Sequence, residues 1–367
     1  MKFSCVKQLL CEAINNVSKA VPQKTTISAL EGIKLRLAGD ELELTGYDLE
    51  LGIKTVLNVM RQSDEDGEIV VSARLFSEFA RKMPGESIFI EICDNRMEIS
   101  SDNTNCTIPV ISAEEYPDMP EIEPDSSITI KQNIVKSMIS QTVFCASTNE
   151  NKPILTGLLF DFADGMLNVV AIDGVRLAVR SEKVDYSEKC KFVVPKKAMS
   201  EVMSIIKDDS DKDCLIYVNK KHIIFDIGGY KIVSRLLDGE FHNYRNSLTD
   251  EFKTEVIMNI RDLLGSMERC TLLVNEKNRV PATCLFEGGE VRINCKSPLG
   301  EVKDILRADI SGESVKIGMN SRFVFEALRA ADGDKVRIHL SGSMRVMKIL
   351  PLEGKDFVYL IMPIQLR

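Results

Sequence analysis

A pattern of residues in this chain returns after 125 positions, which restricts the fold to copies of one domain. Ala29-Leu30-Glu31-Gly32 leads to Thr45-Gly46-Tyr47-Asp48, and Ile154-Leu155-Thr156-Gly157 leads to Ala171-Ile172-Asp173-Gly174. A third copy, with a shorter connection, runs from Pro281-Ala282-Thr283-Cys284-Leu285-Phe286 to Val291-Arg292-Ile293-Asn294-Cys295-Lys296. A repeat this long is a whole domain rather than a solenoid turn. The 367 residues divide into three parts of about 122, each large enough for its own core. The expected domains are 1–121, 127–247 and 250–367, joined by loose segments at 121–126 and 246–251.

Each third holds two stretches whose apolar residues recur at i, i+3, i+4 and i+7, the mark of a helix with one buried stripe. The first stretches carry Val6, Leu9, Leu10, Ala13, Ile14 and Val17, then Val135, Met138, Ile139 and Val143, then Ile260, Leu263, Leu264 and Met267. The later ones carry Phe76, Phe79 and Ala80, then Met199, Val202 and Met203, then Val324, Ala327 and Leu328. Arg74 and Glu78, Lys197 and Glu201, and Arg322 and Glu326 each stand four apart on one exposed helix face. Between helices the pattern alternates at period two, as in Lys335-Val336-Arg337-Ile338-His339-Leu340, with turn residues at Gly39-Asp40, Asp94-Asn95, Asp164-Gly165, 219–221 and Gly288-Gly289. Each third therefore reads as strand, helix, three strands, twice over.

The closing run Tyr359-Leu360-Ile361-Met362-Pro363-Ile364-Gln365-Leu366, the central Asp173-Gly174-Val175-Arg176-Leu177-Ala178 and the two-helix repeats resemble the bacterial DNA sliding clamp family. That family is the beta subunit of the DNA polymerase III holoenzyme, and the resemblance covers the whole chain. Gly239-Glu240-Phe241 and Glu114-Glu115-Tyr116-Pro117 agree with it. It implies an α+β fold of three clamp domains, each of two strand-helix-three-strand units. Two chains would join head to tail as a homodimer, a six-domain ring with helices inside, antiparallel sheets outside and duplex DNA enclosed.

The resemblance further implies a non-enzymatic processivity factor without cofactor or metal, loaded by a separate ATP-dependent clamp loader. Replicative and other DNA polymerases, the loader and repair proteins would dock short peptides in an apolar pocket. Carried over by motif, that pocket comprises Leu155, Ile172, Gly174, Val175, Arg176, Leu177, His242, Asn320, Phe323, Met344, Leu360, Met362, Pro363 and Ile364, with Arg176 as a polar anchor at the rim. The dimer contact would join Phe79 and Ile108 to Leu272 and Leu273 of the neighbouring chain. His242 stands where the family usually has proline, Val175 where a polar residue is common, and Arg367 extends the end; all three bear on peptide preference.

Net charge bears on this reading. At −8 the whole chain lacks the basic footprint of a nucleic-acid-binding domain. The six expected helical segments nevertheless sum to +6, leaving −14 elsewhere. A ring would then place a basic lining against phosphates, through sequence-independent and salt-sensitive contacts. Arg74, Lys196, Lys197 and Arg322 belong to that lining, and Lys24, Lys152 and Arg279 join it from loops after the first helix of each repeat.

Other chemistry finds little support. No phosphate-binding G-x-x-x-x-G-K-[ST] run occurs, and His222, His242 and His339 are scattered. Asp48 and Asp173 recur with the repeat and read as turn residues at strand ends. The ten cysteines include no C-x-x-C pair and read as reduced core thiols, which together with the charged N-terminus places the chain in the cytoplasm. Two alternatives stay open on the residues alone: an enzyme using the Asp173–Arg176 segment, and a peptide-binding scaffold that does not enclose DNA.

Overall fold

The computed structural model of the protein describes residues 1–208, 210–274 and 280–366. Six helices carry the repeat: α1 (Lys7–Ser18) and α2 (Ala73–Lys82), α3 (Gln132–Ser140) and α4 (Lys196–Ile205), α5 (Ile260–Thr271) and α6 (Ser321–Ala330). Each follows one strand and precedes three, as the alternation predicts; the short strands Met60–Arg61 and Asp309–Gly312 are the additions. The turn residues fall where strands end. Gly288 and Gly289, for example, take φ of 61° and 82° between Ala282–Glu287 and Glu290–Ser297, a left-handed pair that favours glycine.

The chain divides into two compact units, Met1–Asn133 with Glu201–Leu236, and Ile134–Ser200 with Leu237–Arg367. All strand pairing among the described residues is antiparallel, and in each unit it crosses a repeat boundary. In the first unit a 13-stranded sheet joins Leu51–Asn58 of the first repeat to Tyr230–Arg235 of the second, with Ile53 opposite Ile232. In the second unit a nine-stranded sheet joins Arg176–Lys183 of the second repeat to Phe357–Ile361 of the third, with Leu177 opposite Leu360. Pairing across the boundary protects strand edges that separate domains would expose. A four-stranded sheet completes the second unit, with Gly300–Arg307 as its terminal strand.

Most of each helix stripe lies in the core. Leu10, Ala13, Ile14 and Val17 of α1 are fully buried, whereas Val6 and Leu9, expected on the same stripe, are exposed; α1 packs on α2 and on the strand Leu51–Asn58. In the second unit α5 packs on α6, with Leu263, Met267, Val324 and Leu328 buried. Asn259 and Asn320 cap these two helices, each accepting a backbone N–H of the first turn, at 2.8 Å from Arg261 and 3.0 Å from Arg322.

The repeated glycine and aspartate have separate physical reasons. A Cβ on Gly157 would lie 2.5 Å from the Val194 carbonyl oxygen, and one on Gly32 would press on Val70 and lie 2.7 Å from the Val71 carbonyl oxygen. Both open a strand held tightly against the strand that leads into the second helix, opposite the residue just before that helix; in the third copy the strand opens one residue further in, at Ala282 opposite Met319. Gly157→Ala is therefore expected to cost about 1–3 kcal/mol by overpacking, read in chemical denaturation, and an unchanged midpoint would refute the close approach. Asp48 Oδ1 accepts the backbone N–H groups of Glu50 and Leu51 at 3.0 and 2.7 Å, and Asp173 Oδ1 those of Val175 and Arg176 at 3.0 and 3.1 Å. These are the strand-end turns expected from sequence.

Some local expectations differ. The sum of +6 assumes helical segments at 6–20 and 132–145; α1 ends at Ser18, so Lys19 lies beyond it, and α3 ends at Ser140, with Val143–Cys145 forming a separate 3-10 turn. Glu78 is bonded by Arg81 and Lys82, at 2.6 and 3.0 Å, because both lie nearer on the last turn of α2. Of the cysteines, Cys145, Cys214, Cys270, Cys284 and Cys295 are buried, whereas Cys93 is exposed near a hairpin turn. No helix among the described residues is long and apolar enough to cross a membrane.

Candidate functional site

Arg176 organises a broad concavity of the second unit. The turn held by Asp173 delivers it to the start of the strand Arg176–Lys183, with only 9% of its side chain exposed. Its Nε donates to Asp173 Oδ2 at 2.8 Å, one terminal nitrogen to Glu326 Oε2 at 2.5 Å and the other to the Phe144 carbonyl at 2.8 Å. The guanidinium also lies 4.3 Å from the centre of the Phe323 ring, a cation–π contact. Burial works against ionising Glu326, but hydrogen bonds from Arg322 and Arg176 outweigh it and hold its carboxyl below the usual range. Arg176, expected at the rim as a free anchor, thus has its three donor nitrogens engaged by its own chain.

Around it opens a cleft of about 1270 Å³ that includes Val175, Arg176, Asn320, Phe323, Met362, Pro363 and Ile364 from the expected pocket, with Phe144, Asp173 and Glu326 in addition. The Met362 N–H donates to the Val175 carbonyl at 2.9 Å and the Ile364 N–H to the Gly318 carbonyl at 2.8 Å, which fixes the closing segment along the cleft.

Successive strand residues face opposite ways, so Leu177 turns away from Arg176 to the other side of the sheet. There Ile172, Leu177 and Leu360 form one apolar cluster with Val179, Val358 and Tyr244, and Phe241 and Leu248 pack against it half-buried. Leu155 is half-buried in the turn Pro153–Thr156. Gly174, Val175, His242, Met344 and Met362 are exposed. The expected pocket residues therefore divide: Val175, Arg176, Asn320, Phe323, Met362, Pro363 and Ile364 line the cleft, while Ile172, Leu177 and Leu360 belong to the cluster on the other side of the sheet. This second face offers apolar side chains close to the surface, with Phe241 and Leu248 half-buried against them.

Models of the DNA polymerase III beta subunit match nearly the whole chain: the N-terminal domain over residues 1–120, the central domain over 129–243 and the C-terminal domain over 245–365. The chain belongs to the DNA polymerase III beta subunit family. The beta sliding clamp of Bacillus subtilis (strain 168) is 32% identical over 377 residues, covering 100% of both chains. A solved sliding clamp from Bacillus subtilis superposes with a TM-score of 0.93 at 31% identity, again covering 100% of both. A putative DNA polymerase III beta subunit from Eubacterium rectale superposes at 0.92 with 33% identity and 99% of each chain. The sliding clamp of Pseudomonas aeruginosa, solved bound to griselimycin, superposes at 0.93 with 25% identity over 100% of both chains. Membership in the sliding clamp family makes this chain a processivity factor of DNA polymerase III and not an enzyme.

In a clamp the available cations matter more than their number. Lys24, Arg74, Lys152, Lys197 and Arg322 are exposed, Arg322 with its Nε 2.8 Å from Glu326 Oε1, and Lys196 is half-buried beside the Arg176 cleft. Arg279 lies outside the described residues, as does Arg367. Other charges counted with the helices are engaged within the fold: Lys7 donates to the Met83 carbonyl, Lys19 to Ser204 Oγ at 2.7 Å and Arg269 to Asp304 Oδ2 at 2.7 Å. The helix sum of +6 read from sequence thus overstates what remains free for phosphates, because partners distant in sequence could not be counted.

The residues expected at the clamp's dimer contact differ in the same way. Leu272, just past α5, is 76% exposed and Leu273 and Phe79 are half-buried, but Ile108 is only 2% exposed within its own chain. Ile108 has little side-chain surface left to bury, so only its backbone can contribute directly to a contact. It stands on the strand Thr104–Ser112, which pairs with Arg96–Ser101 along Thr104–Pro109 but meets a second strand only at Val110–Ser112. Thr104–Pro109 and the terminal strand Gly300–Arg307 each leave one side without a partner strand among the described residues.

Proposed function

We propose that two copies of this chain close head to tail into a six-domain ring around duplex DNA, tethering the replicative polymerase. The observation that carries the reading is the repeated junction. The third strand of one domain's first half pairs with the third strand of the next domain's second half, Leu51 opposite Ser234 and then Arg176 opposite Ile361. The same construction leaves Gly300–Arg307 and Thr104–Pro109 as the unmatched halves. Repeating the offset puts Gly300 opposite the partner's Ile108 and Val302 opposite the partner's Cys106. Leu273 supports that edge, its Cδ2 lying 3.5 Å from where a Cβ of Gly300 would stand, and exposed Leu272 is its apolar flank. A head-to-tail contact of this kind closes when the rotation per unit completes a circle.

Lys24, Arg74, Lys152, Lys196, Lys197, Arg279 and Arg322 then contact phosphates without reading sequence. Polymerases, the ATP-dependent loader and repair proteins dock peptides on the apolar face of Ile172, Leu177 and Leu360, flanked by Leu155, Gly174, Val175, His242, Met344 and Met362. Arg176, Asn320, Phe323, Pro363 and Ile364 shape its neighbourhood from the cleft. The griselimycin-bound relative supports a ligand-accepting surface on this fold, and a replication role supports a cytoplasmic location.

The test is topological. Loaded onto nicked circular plasmid by the clamp loader with ATP, the protein should stay bound at high salt and leave once the plasmid is linearised. Equal retention on circular and linear DNA would count against encirclement and favour simple surface binding.

A further inference from the structure

We infer that Asp161 is a positioning residue of the peptide-docking face, its buried carboxylate tying down segment 241–248 as the wall of that face. The inference rests on the docking face described above.

Asp161 lies on the strand Gly157–Ala163 and is fully buried. An ionised carboxylate is costly there unless its oxygens are bonded. Its Oδ2 accepts from the Tyr244 hydroxyl at 2.8 Å and is ion-paired with the Arg245 guanidinium, nitrogen to oxygen 2.8 Å. Oδ1 makes no hydrogen bond and faces exposed Lys191, its Nζ 3.7 Å away. The hydrogen bond and the ion pair thus go to neighbouring residues of one short turn, Tyr244–Ser247. That turn has a single buried residue, Tyr244, and its backbone is tied only locally, by the Leu248 N–H to the Arg245 carbonyl at 3.1 Å.

Tyr244 belongs to the same cluster as Ile172, Leu177 and Leu360, with Phe241 and Leu248 packed on either side of it in sequence and His242 exposed between them. Burial and Asp161 push the tyrosine's pKa up, so it remains a donor at neutral pH. An apolar residue at 161 would fill the space more cheaply but could not hold two consecutive residues of the turn. The carboxylate therefore sets how closely the 241–248 wall stands over the docking leucines.

The chain has no tryptophan, so Phe241→Trp supplies a single emitter on the wall itself. In that background, griselimycin is titrated against the parent, Asp161→Asn, Tyr244→Phe and Met362→Ala, with the thermal midpoint recorded for each. Asp161→Asn and Tyr244→Phe should each weaken binding by about tenfold and red-shift the emission as the wall lifts, with the dimer retained. Tyr244→Phe keeps the ring in the cluster and decides the matter if Asp161→Asn fails to fold. A lower midpoint with unchanged affinity and emission overturns the positioning role. If Met362→Ala weakens binding while both other variants bind as the parent does, the anchor alone is wrong. If the parent does not bind, or Met362→Ala has no effect, the docking face is wrong and this inference falls with it.

Discussion

Arg176→Ala should lower the stability of the second unit by about 3–5 kcal/mol, the cost typical of removing one partner from a buried charge cluster. The substitution removes the buried partner that Asp173 and Glu326 share, leaving Glu326 with Arg322 and Asp173 with the backbone N–H groups of its turn, and leaves the Phe144 carbonyl without its donor. Arg176→Lys should recover little, since one ammonium cannot reach three separated acceptors while lying flat over Phe323. The pH dependence has a definite sign. Because Glu326 has a folded-state pKa below its unfolded value, its contribution is present above the unfolded pKa and is lost as pH falls through the folded one. The native protein should therefore lose stability on acidification over that interval, and Arg176→Ala should flatten the loss. Chemical denaturation across acidic to neutral pH measures both, and a variant as stable as the parent with an unchanged acid limb would contradict the cluster's role.

Leu272→Asp should convert the ring to monomers. The side chain stands almost free in the single chain, so its replacement spares the fold of the protomer. At each junction it would lose about 1.5–3 kcal/mol of apolar burial, and the partner would face an uncompensated charge. A ring of two chains has two such junctions, so the total of about 3–6 kcal/mol weakens dimerisation by two to four orders of magnitude. Sedimentation should report half the mass, and retention on circular plasmid should disappear with it. A variant that remains dimeric would remove Leu272 from the interface and with it the edge-strand register. Leu273→Ala is the less informative change, since Leu273 also packs near Gly300 inside its own domain.

Local patterns were legible because their causes are local. The stripes Leu10-Ala13-Ile14-Val17 and Val324-Ala327-Leu328 each follow from one helical period, and the alternation in Lys335–Leu340 follows from one strand. The repeated Asp48 and Asp173 announced turns whose bonds span only three residues. What sequence did not reveal depends on residues brought together from afar. Lys7 meets Met83, and Arg269 meets Asp304, so two cations counted for the lining are engaged inside the fold. Arg176 and Leu177 are adjacent in every motif but lie on opposite faces of a strand, which divides the expected pocket in two. Ile108 reads as an interface residue by resemblance, yet its burial comes from the sheet and helix packed around it. Asp161 had no sequence signal, since its meaning depends on Tyr244 and Arg245 more than eighty positions away.

The pairing of strands across repeat boundaries also separates two notions of a domain. By ancestry the chain is three copies, yet none of the three could be cut out whole. Excision of the central copy would tear Tyr230–Arg235 from Leu51–Asn58 and Arg176–Lys183 from Phe357–Ile361, leaving four raw edges, two on the fragment and two on what it left behind. A peptide-bond break within 121–124, by contrast, severs no sheet, and the ladder from Leu51 to Thr55 would keep both pieces together. Covalent continuity between the first two copies is thus mechanically redundant, and the linker is free to vary in length and composition without loosening the assembly.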